Sequence, residues 1–390
     1  MIEVLFTVAV SKMAPVAHTR LGESNVGSRA MSVLAPAARF LALLIGLVPM
    51  AVSGGPAASD RDDEVRALDF DDSPRVRDLP HPEWFKASFL DLGVDLREAV
   101  DAGKGLIVYF GQRHCAYCQA LMEIDFGKAD IVAYTRLHFD LVAIDIWSDV
   151  EMVDLKGNRL TEKAFAERES AQFTPTLAFL DAEGKEVLRL RGYYPPYQFR
   201  AALEFVADGH YARESFRDYL ARAEPNMTFE PEELIEDPLF AKPPHMLDRT
   251  RFAGERPLLV LFEQGSCHAC DVLHTEEIRS AAIREKLEQF EVVQLDMRGD
   301  TPVVTPDGRR TTARQWAQEL GLFYTPTLVF FDERGGEIIR IDSVVRFHRL
   351  AAVMDFVLSQ DYLAQPYFQR WREDRATRTA PPARRPPTEG

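Results

Sequence analysis

The chain has 390 residues, 46% hydrophobic and 27% charged, proportions that fit globular protein and leave room for two or three domains. With 46 basic against 61 acidic residues its net charge is −15, which argues against a nucleic-acid partner, since that needs a basic surface. Four cysteines fall in two close pairs, Cys115 with Cys118 and Cys267 with Cys270, and none is left for a long-range bridge.

In chain order, residues 1–59 read as targeting rather than fold. Residues 40–52 (FLALLIGLVPMAV) form an apolar run of 13, preceded by Arg39 and followed by small residues over 53–59. That is the layout of a secretory signal peptide. The run falls short of the roughly 20 residues that a membrane-spanning helix needs. No cysteine closely follows it to carry a lipid anchor. Residues 1–30 show no pattern beyond a short apolar start, so Met31 is the expected start and 1–30 an extension. The acidic, Pro-containing stretch 60–80 reads as a linker.

From there the sequence repeats itself. GLIVYFGQRHCAYCQALMEIDF (105–126) aligns with PLLVLFEQGSCHACDVLHTEEI (257–278), the first cysteines lying 152 residues apart. FTPTLAFLDAEGKEVLRL (173–190) aligns with YTPTLVFFDERGGEIIRI (324–341) at an offset of 151, and so do the turns at 156–159 and 307–310. This period is too long for a solenoid, so the copies are whole domains, predicted over 81–222 and 248–365. Each copy predicts a strand (106–110; 258–262), a helix opened by the cysteines (115–124; 267–278) and a second strand (141–146; 292–297). A further helix follows (161–170; 313–320). Thr-Pro-Thr then leads into a hairpin, and a closing helix ends the copy (198–207; 348–358). Strands alternating with helices and ending in a hairpin predict an α/β fold, a mixed β-sheet flanked by helices on both faces. The Pro-rich acidic stretch 223–247 reads as a partly ordered connector. The tail 366–390, Pro/Arg-rich from Arg375 on, reads as disordered.

A disulfide across two residues closes a very small loop and makes a poor staple. Redox exchange or metal binding explains such a pair better. The thiolate is the nucleophile, and a helix start offers unpaired N–H groups and the positive end of the macrodipole to stabilise it. Cys115 and Cys267 are therefore the expected attacking thiols, and Cys118 and Cys270, on the same helix face, the resolving ones. Zinc is disfavoured, because paired motifs of a Cys₄ site usually lie about 15–20 residues apart, whereas 148 residues separate Cys118 from Cys267. No metal or other cofactor is expected. The inner dipeptides differ, Ala-Tyr against His-Ala. His268, if protonated, stabilises the neighbouring thiolate and makes the second site the more oxidising. His114 stands in a like position before Cys115. Pro175 and Pro326, each straight before an apolar strand, fit cis bonds. These turn the backbone of Thr174 and Thr325 toward an extended substrate peptide beside the cysteines.

Cys-x-x-Cys on a strand-to-helix turn, followed some 60 residues later by Thr-Pro-Thr and a hairpin, resembles the thioredoxin superfamily, twice over. The approach to the cysteines, Phe110-Gly111-Gln112-Arg113-His114-Cys115 and Phe262-Glu263-Gln264-Gly265-Ser266-Cys267, is similar to secreted SoxW-like bacterial thioredoxins. The resemblance implies two tandem thioredoxin-like folds and a periplasmic protein-disulfide reductase or oxidoreductase acting on protein thiols and disulfides. It also implies electrons from a membrane thiol transporter of the DsbD/CcdA type. There are departures. His114 and Ser266 replace the family's Trp, and Gly-Pro is absent between the cysteines. The family's buried acid is Tyr109 in one copy and Leu261 in the other, which leaves Glu263 or water to handle protons. The alternatives are a disulfide isomerase and a chaperone-like binding module.

Overall fold

The computed structural model describes residues 65–73, 78–223 and 233–379. The expected extension and signal peptide, 1–59, lie outside them. Both copies fall within a single unit, 55–390.

The first copy opens with a helix, α1 (Leu92–Asp101), capped by Asp91, whose side chain accepts the Val94 N–H. Strand β1 (Gly105–Gly111) pairs in parallel with β2 (Phe139–Asp145) and antiparallel with β5 (Thr176–Leu180), which pairs antiparallel with β6 (Glu186–Arg191). The sheet order is β2-β1-β5-β6. β1 is apolar almost throughout because both its faces are covered. Ile107 and Tyr109 enter the core beneath the cysteine helix, and Leu106, Val108 and Phe110 enter the core on the other side. A detached ribbon, β3 (Glu151–Val153) with β4 (Arg159–Thr161), precedes α4 (Glu162–Arg168), which Thr161 caps.

The second copy repeats this plan. β8 (Leu258–Glu263) pairs in parallel with β9 (Glu291–Asp296) and antiparallel with β12 (Thr327–Phe331), and β13 (Glu337–Ile341) closes the sheet. Its ribbon, β10 (Pro302–Val304) with β11 (Arg310–Thr312), gains a third strand, β7 (His245–Met246). The tandem mixed-sheet fold expected from the repeat is the fold observed. Two helices that the sequence reading left out, α3 (Ala129–His138) and α8 (Ala281–Leu287), lead from each cysteine helix into the next strand.

Three stretches read as loose are built into the fold. The expected linker 60–80 contains a helical turn at 65–68 whose Ala67 and Leu68 are buried, and Asp72 is buried beyond it. In the connector, Phe240 is buried and bridges to Val292, and Asp237 pairs with Arg284 at 2.8 Å. Within the expected tail a helix forms, α11 (Phe368–Thr379), and residues 380–390 lie outside the described residues. Tyr367, Phe368 and Trp371 are all buried, and Phe368 and Trp371 pack on Phe356. Aromatic side chains at helical spacing outweigh the charged composition around them. Among the described residues no helix is long and apolar enough to cross a membrane.

Candidate functional site

Each cysteine pair sits where the central strand turns into a helix. Cys115 and Cys267 are extended residues that cap α2 (Ala116–Ala120) and α7 (His268–Val272). Their Sγ atoms accept the N–H of Cys118 at 3.0 Å and of Cys270 at 3.1 Å. Both pairs are closed as disulfides with Cα–Cα separations of 5.2 Å. Beyond the fifth residue each helix widens into a π-turn, Leu121–Asp125 and Leu273–Glu277. The first cysteine is the more accessible of each pair, Cys115 at 5% against 0% for Cys118 and Cys267 at 8% against 4% for Cys270. That order suits the first sulfur as the one that meets a substrate.

The two Thr-Pro loops lie against these sulfurs, and both Thr-Pro bonds are cis. Cys115 Sγ is 3.5 Å from the Thr174 carbonyl and 3.4 Å from its Oγ1. Cys267 Sγ is 3.6 and 3.5 Å from the same atoms of Thr325. The second threonine of each motif ties the turn, Thr176 donating to the Phe173 carbonyl at 2.7 Å and Thr327 to Tyr324 at 2.6 Å. Residues 58 or 59 apart in sequence thus converge, twice, with nearly the same geometry.

The surroundings differ between copies. At the first site Gln112 forms a chain, accepting from Trp147 Nε1 at 2.7 Å and donating to Thr174 Oγ1 at 2.7 Å. Its role in holding Thr174 was not read from the sequence, although the shared Phe-x-Gln approach marks the position. At the second site Glu263 is buried at the end of β8 and accepts from His274 Nε2 at 3.0 Å and Gln294 Nε2 at 2.6 Å. His274 lies one helical turn beyond Cys270. The repeat places Gly111, Met122 and Ala143 at the three corresponding positions, so the first copy has no such group. Tyr109, at the position where the resemblance implies a buried acid, is fully buried in the first copy. A different carboxyl in that copy, Asp125, is also fully buried, and its two carboxyl oxygens have no hydrogen-bond partner among the described residues. Burial pushes its carboxyl well above the usual range. Of the two histidines singled out, His114 is exposed, 4.0 Å from Asp78, and His268 is half-buried. Among the described residues neither hydrogen-bonds to a cysteine.

The Thr174 backbone, expected to face an extended substrate, is covered. Thr174 is 1% exposed and its carbonyl accepts from Arg349 Nη2 of the second domain at 2.9 Å. Thr325 is half-buried.

The sequence profile of the thioredoxin-like domain matches the chain twice, over residues 92–207 and 244–358. Among solved structures, a thioredoxin-fold protein from Helicobacter pylori is 27% identical over 31% of this chain and 80% of its own, with a TM-score of 0.26. A thioredoxin from Thermus thermophilus is 25% identical over 30% and 83%, with a TM-score of 0.24. The NTD_N/C domain of alkylhydroperoxide reductase AhpF from Enterococcus faecalis is 14% identical over 70% and 100%, with a TM-score of 0.22. No curated protein matches the chain.

Proposed function

The chain belongs to the thioredoxin-like domain family, and from that premise we propose that it is a periplasmic thiol–disulfide oxidoreductase working as a protein-disulfide reductase. The observation that carries this reading is the repeated site: a dithiol pair opening a helix, its first sulfur within 3.6 Å of the residue before a cis-proline.

The chemistry follows from that placement. In the reduced protein, the thiolate of Cys115 or Cys267 attacks one sulfur of a substrate disulfide. One S–S bond breaks, a mixed disulfide forms, and the other substrate sulfur leaves as a thiolate. Cys118 or Cys270 then attacks the mixed disulfide and releases the second substrate thiol. The substrate gains two electrons and two protons, and the protein keeps the disulfide. The helix N-terminus favours the attacking thiolate through its free N–H groups and its dipole. The reverse sequence oxidises a substrate dithiol.

In this reading the apolar run 40–52 exports the chain, and a membrane thiol transporter of the DsbD/CcdA type returns it to the dithiol form. His268 raises the potential of the second site above that of the first. Insulin reduction by the full chain, C115S and C267S tests the activity. Turnover by the wild type, lowered in at least one variant, is expected. No turnover, with aggregation of a client protein still suppressed, overturns it in favour of the chaperone-like module. The reduction potentials of the two single-dithiol proteins, from glutathione titration, check the ranking of the sites.

A further inference from the structure

We infer that the second domain docks in the peptide groove of the first as a built-in substrate mimic, so that extended protein disulfides reach Cys267 and are turned away from Cys115. This rests on the oxidoreductase reading above and assigns its two dithiols different partners.

Three elements meet beside the first dithiol: the cysteine helix, the loop before the cis-proline, and the loop after β6, whose Gly192 N–H donates to the Pro175 carbonyl. In the first domain the stretch 342–349 of the second domain lies on all three. Gly192, at φ 109°, meets Ser343 so closely that any side chain there collides with it. The Val344 N–H donates to the Tyr193 carbonyl at 3.0 Å, a backbone pairing of the kind an extended peptide makes. The Arg346 N–H donates to the hydroxyl of Tyr117, inside the Cys-x-x-Cys motif, at 2.9 Å. Arg349 lays its guanidinium 3.2 Å from the centre of the Tyr117 ring and donates to the Thr174 carbonyl.

Each carbonyl from Ala171 to Thr174, on the backbone leading to Pro175, already accepts a hydrogen bond, three of the four from the second domain. The carbonyl of Ala171 takes the Tyr367 hydroxyl at 3.2 Å, and that of Gln172 takes Gln369 Nε2 at 2.8 Å. The Phe173 carbonyl takes Thr176, and the Thr174 carbonyl takes Arg349. A substrate strand pairs through such carbonyls, so it must first displace the second domain.

The second groove is not closed in this way. The pseudo-equivalent of Arg349 at offset 151 is Gln198, whose Oε1 has no hydrogen-bond partner. The equivalent of Arg346 is Pro195, which has no N–H to give. The first domain reaches this loop through aromatic packing, Tyr194 on Tyr324 and Phe216 on Phe323. Among the described residues, the carbonyls of Leu322, Phe323 and Thr325 accept no hydrogen bond from it. Residues 116 and 117 between the first cysteines are buried, and residues 268 and 269 between the second are half-buried.

Stability alone does not call for Arg349. It is 8% exposed, its Nη1 has no hydrogen-bond partner, and burial lowers its pKa. A buried cation commonly costs as much as its contacts return. What it does accomplish is to hold the Thr174 oxygen.

The test uses full-length trap proteins with one live thiol. One is C118A with C267S and C270S, and the other is C270A with C115S and C118S. Each is mixed with a ten-residue peptide disulfide and with a small aromatic disulfide, and mixed-disulfide formation is timed. Taking the peptide rate over the small-disulfide rate cancels the intrinsic reactivity of the thiol. This ratio is expected to be about tenfold or more lower at Cys115 than at Cys267, the discrimination of one charge-assisted hydrogen bond. Arg349→Met is expected to raise it at Cys115 and leave it unchanged at Cys267, whose unaltered rate also reports a folded protein. Equal ratios at the two sites, or no response to Arg349→Met, overturn the mimic and leave the oxidoreductase reading intact. Failure of both traps with both disulfides refutes the oxidoreductase reading, and the mimic with it.

Discussion

Asp72 ties the first cysteine helix to the second domain, and its replacement by alanine has a cost that can be worked out. Its Oδ2 accepts from Tyr117 Oη at 2.8 Å and from the Arg349 N–H at 2.8 Å, and its Oδ1 accepts from the His348 N–H at 2.9 Å. The helix it serves, α10 (Phe347–Leu358), has no side-chain cap of its own. A carboxylate 276 residues away therefore caps it and sits at the positive end of its dipole. Losing a cap costs about 0.5–2 kcal/mol. Leaving the buried Tyr117 hydroxyl without its acceptor adds about 1–3 kcal/mol. The buried Arg349 guanidinium also loses the favourable field of the Asp72 carboxylate. Together these put Asp72→Ala at about 3 kcal/mol. Guanidinium unfolding of the full chain reads the effect as a lower midpoint of the transition that carries the docked helix, at unchanged slope. The partner variant Arg349→Met closes a double-mutant cycle, and the pair is expected to cost at least about 1 kcal/mol less than the sum. A loss below about 0.5 kcal/mol for Asp72→Ala, the level of an ordinary surface change, refutes the idea that residues 65–73 fasten the second domain to the first site.

Two other expectations follow from buried groups. Burial raises the Asp125 carboxyl well above its ordinary value, so the folded chain holds a proton that the unfolded chain, with a carboxyl near about 3.9, gives up. This contribution is complete below the unfolded value and is lost as pH rises toward the folded one, at up to about 1.4 kcal/mol per pH unit. Unfolding free energies from pH 4 upward are expected to fall more steeply for the wild type than for Asp125→Asn, and parallel curves refute this. Trp371→Ala is expected to destabilise the second domain by about 3–5 kcal/mol, because the ring is 2% exposed against Phe356 and its Nε1 donates to Asp361 at 2.6 Å. Denaturant unfolding checks it, and a cost under about 1 kcal/mol makes α11 peripheral.

The misreadings of the sequence have a common cause. The average composition of residues 60–80 and 366–390 is polar, and averages hide a few well-spaced apolar anchors. Ala67, Leu68 and Phe70 in the first stretch, and Tyr367, Phe368 and Trp371 in the second, are enough to bind their segments. Phe70, for example, sets its ring against Tyr117 and Tyr193. Neither stretch has an apolar surface to meet until the domains have folded. The group of Glu263, His274 and Gln294 escaped notice for a related reason. Its members come from a strand end, a helix and a neighbouring strand, and only the pairing of β8 with β9 brings them together.

The sequence by itself determined what each domain is. A strand buried on both faces, a cysteine pair at the helix start and a proline before the next strand are local features. Their repetition at a near-constant offset is visible without coordinates, because local chain geometry and the pleat of the sheet dictate them. Tertiary structure decided how the two sites differ. That Asp72 caps a helix 276 residues away, and that Arg349 takes the carbonyl of Thr174, follow from the docking of one folded domain on another. No local periodicity encodes such contacts, since each depends on the position of every element between. Two motifs that look alike in sequence thus come to lie in different surroundings, one groove covered by its neighbour and the other partly open.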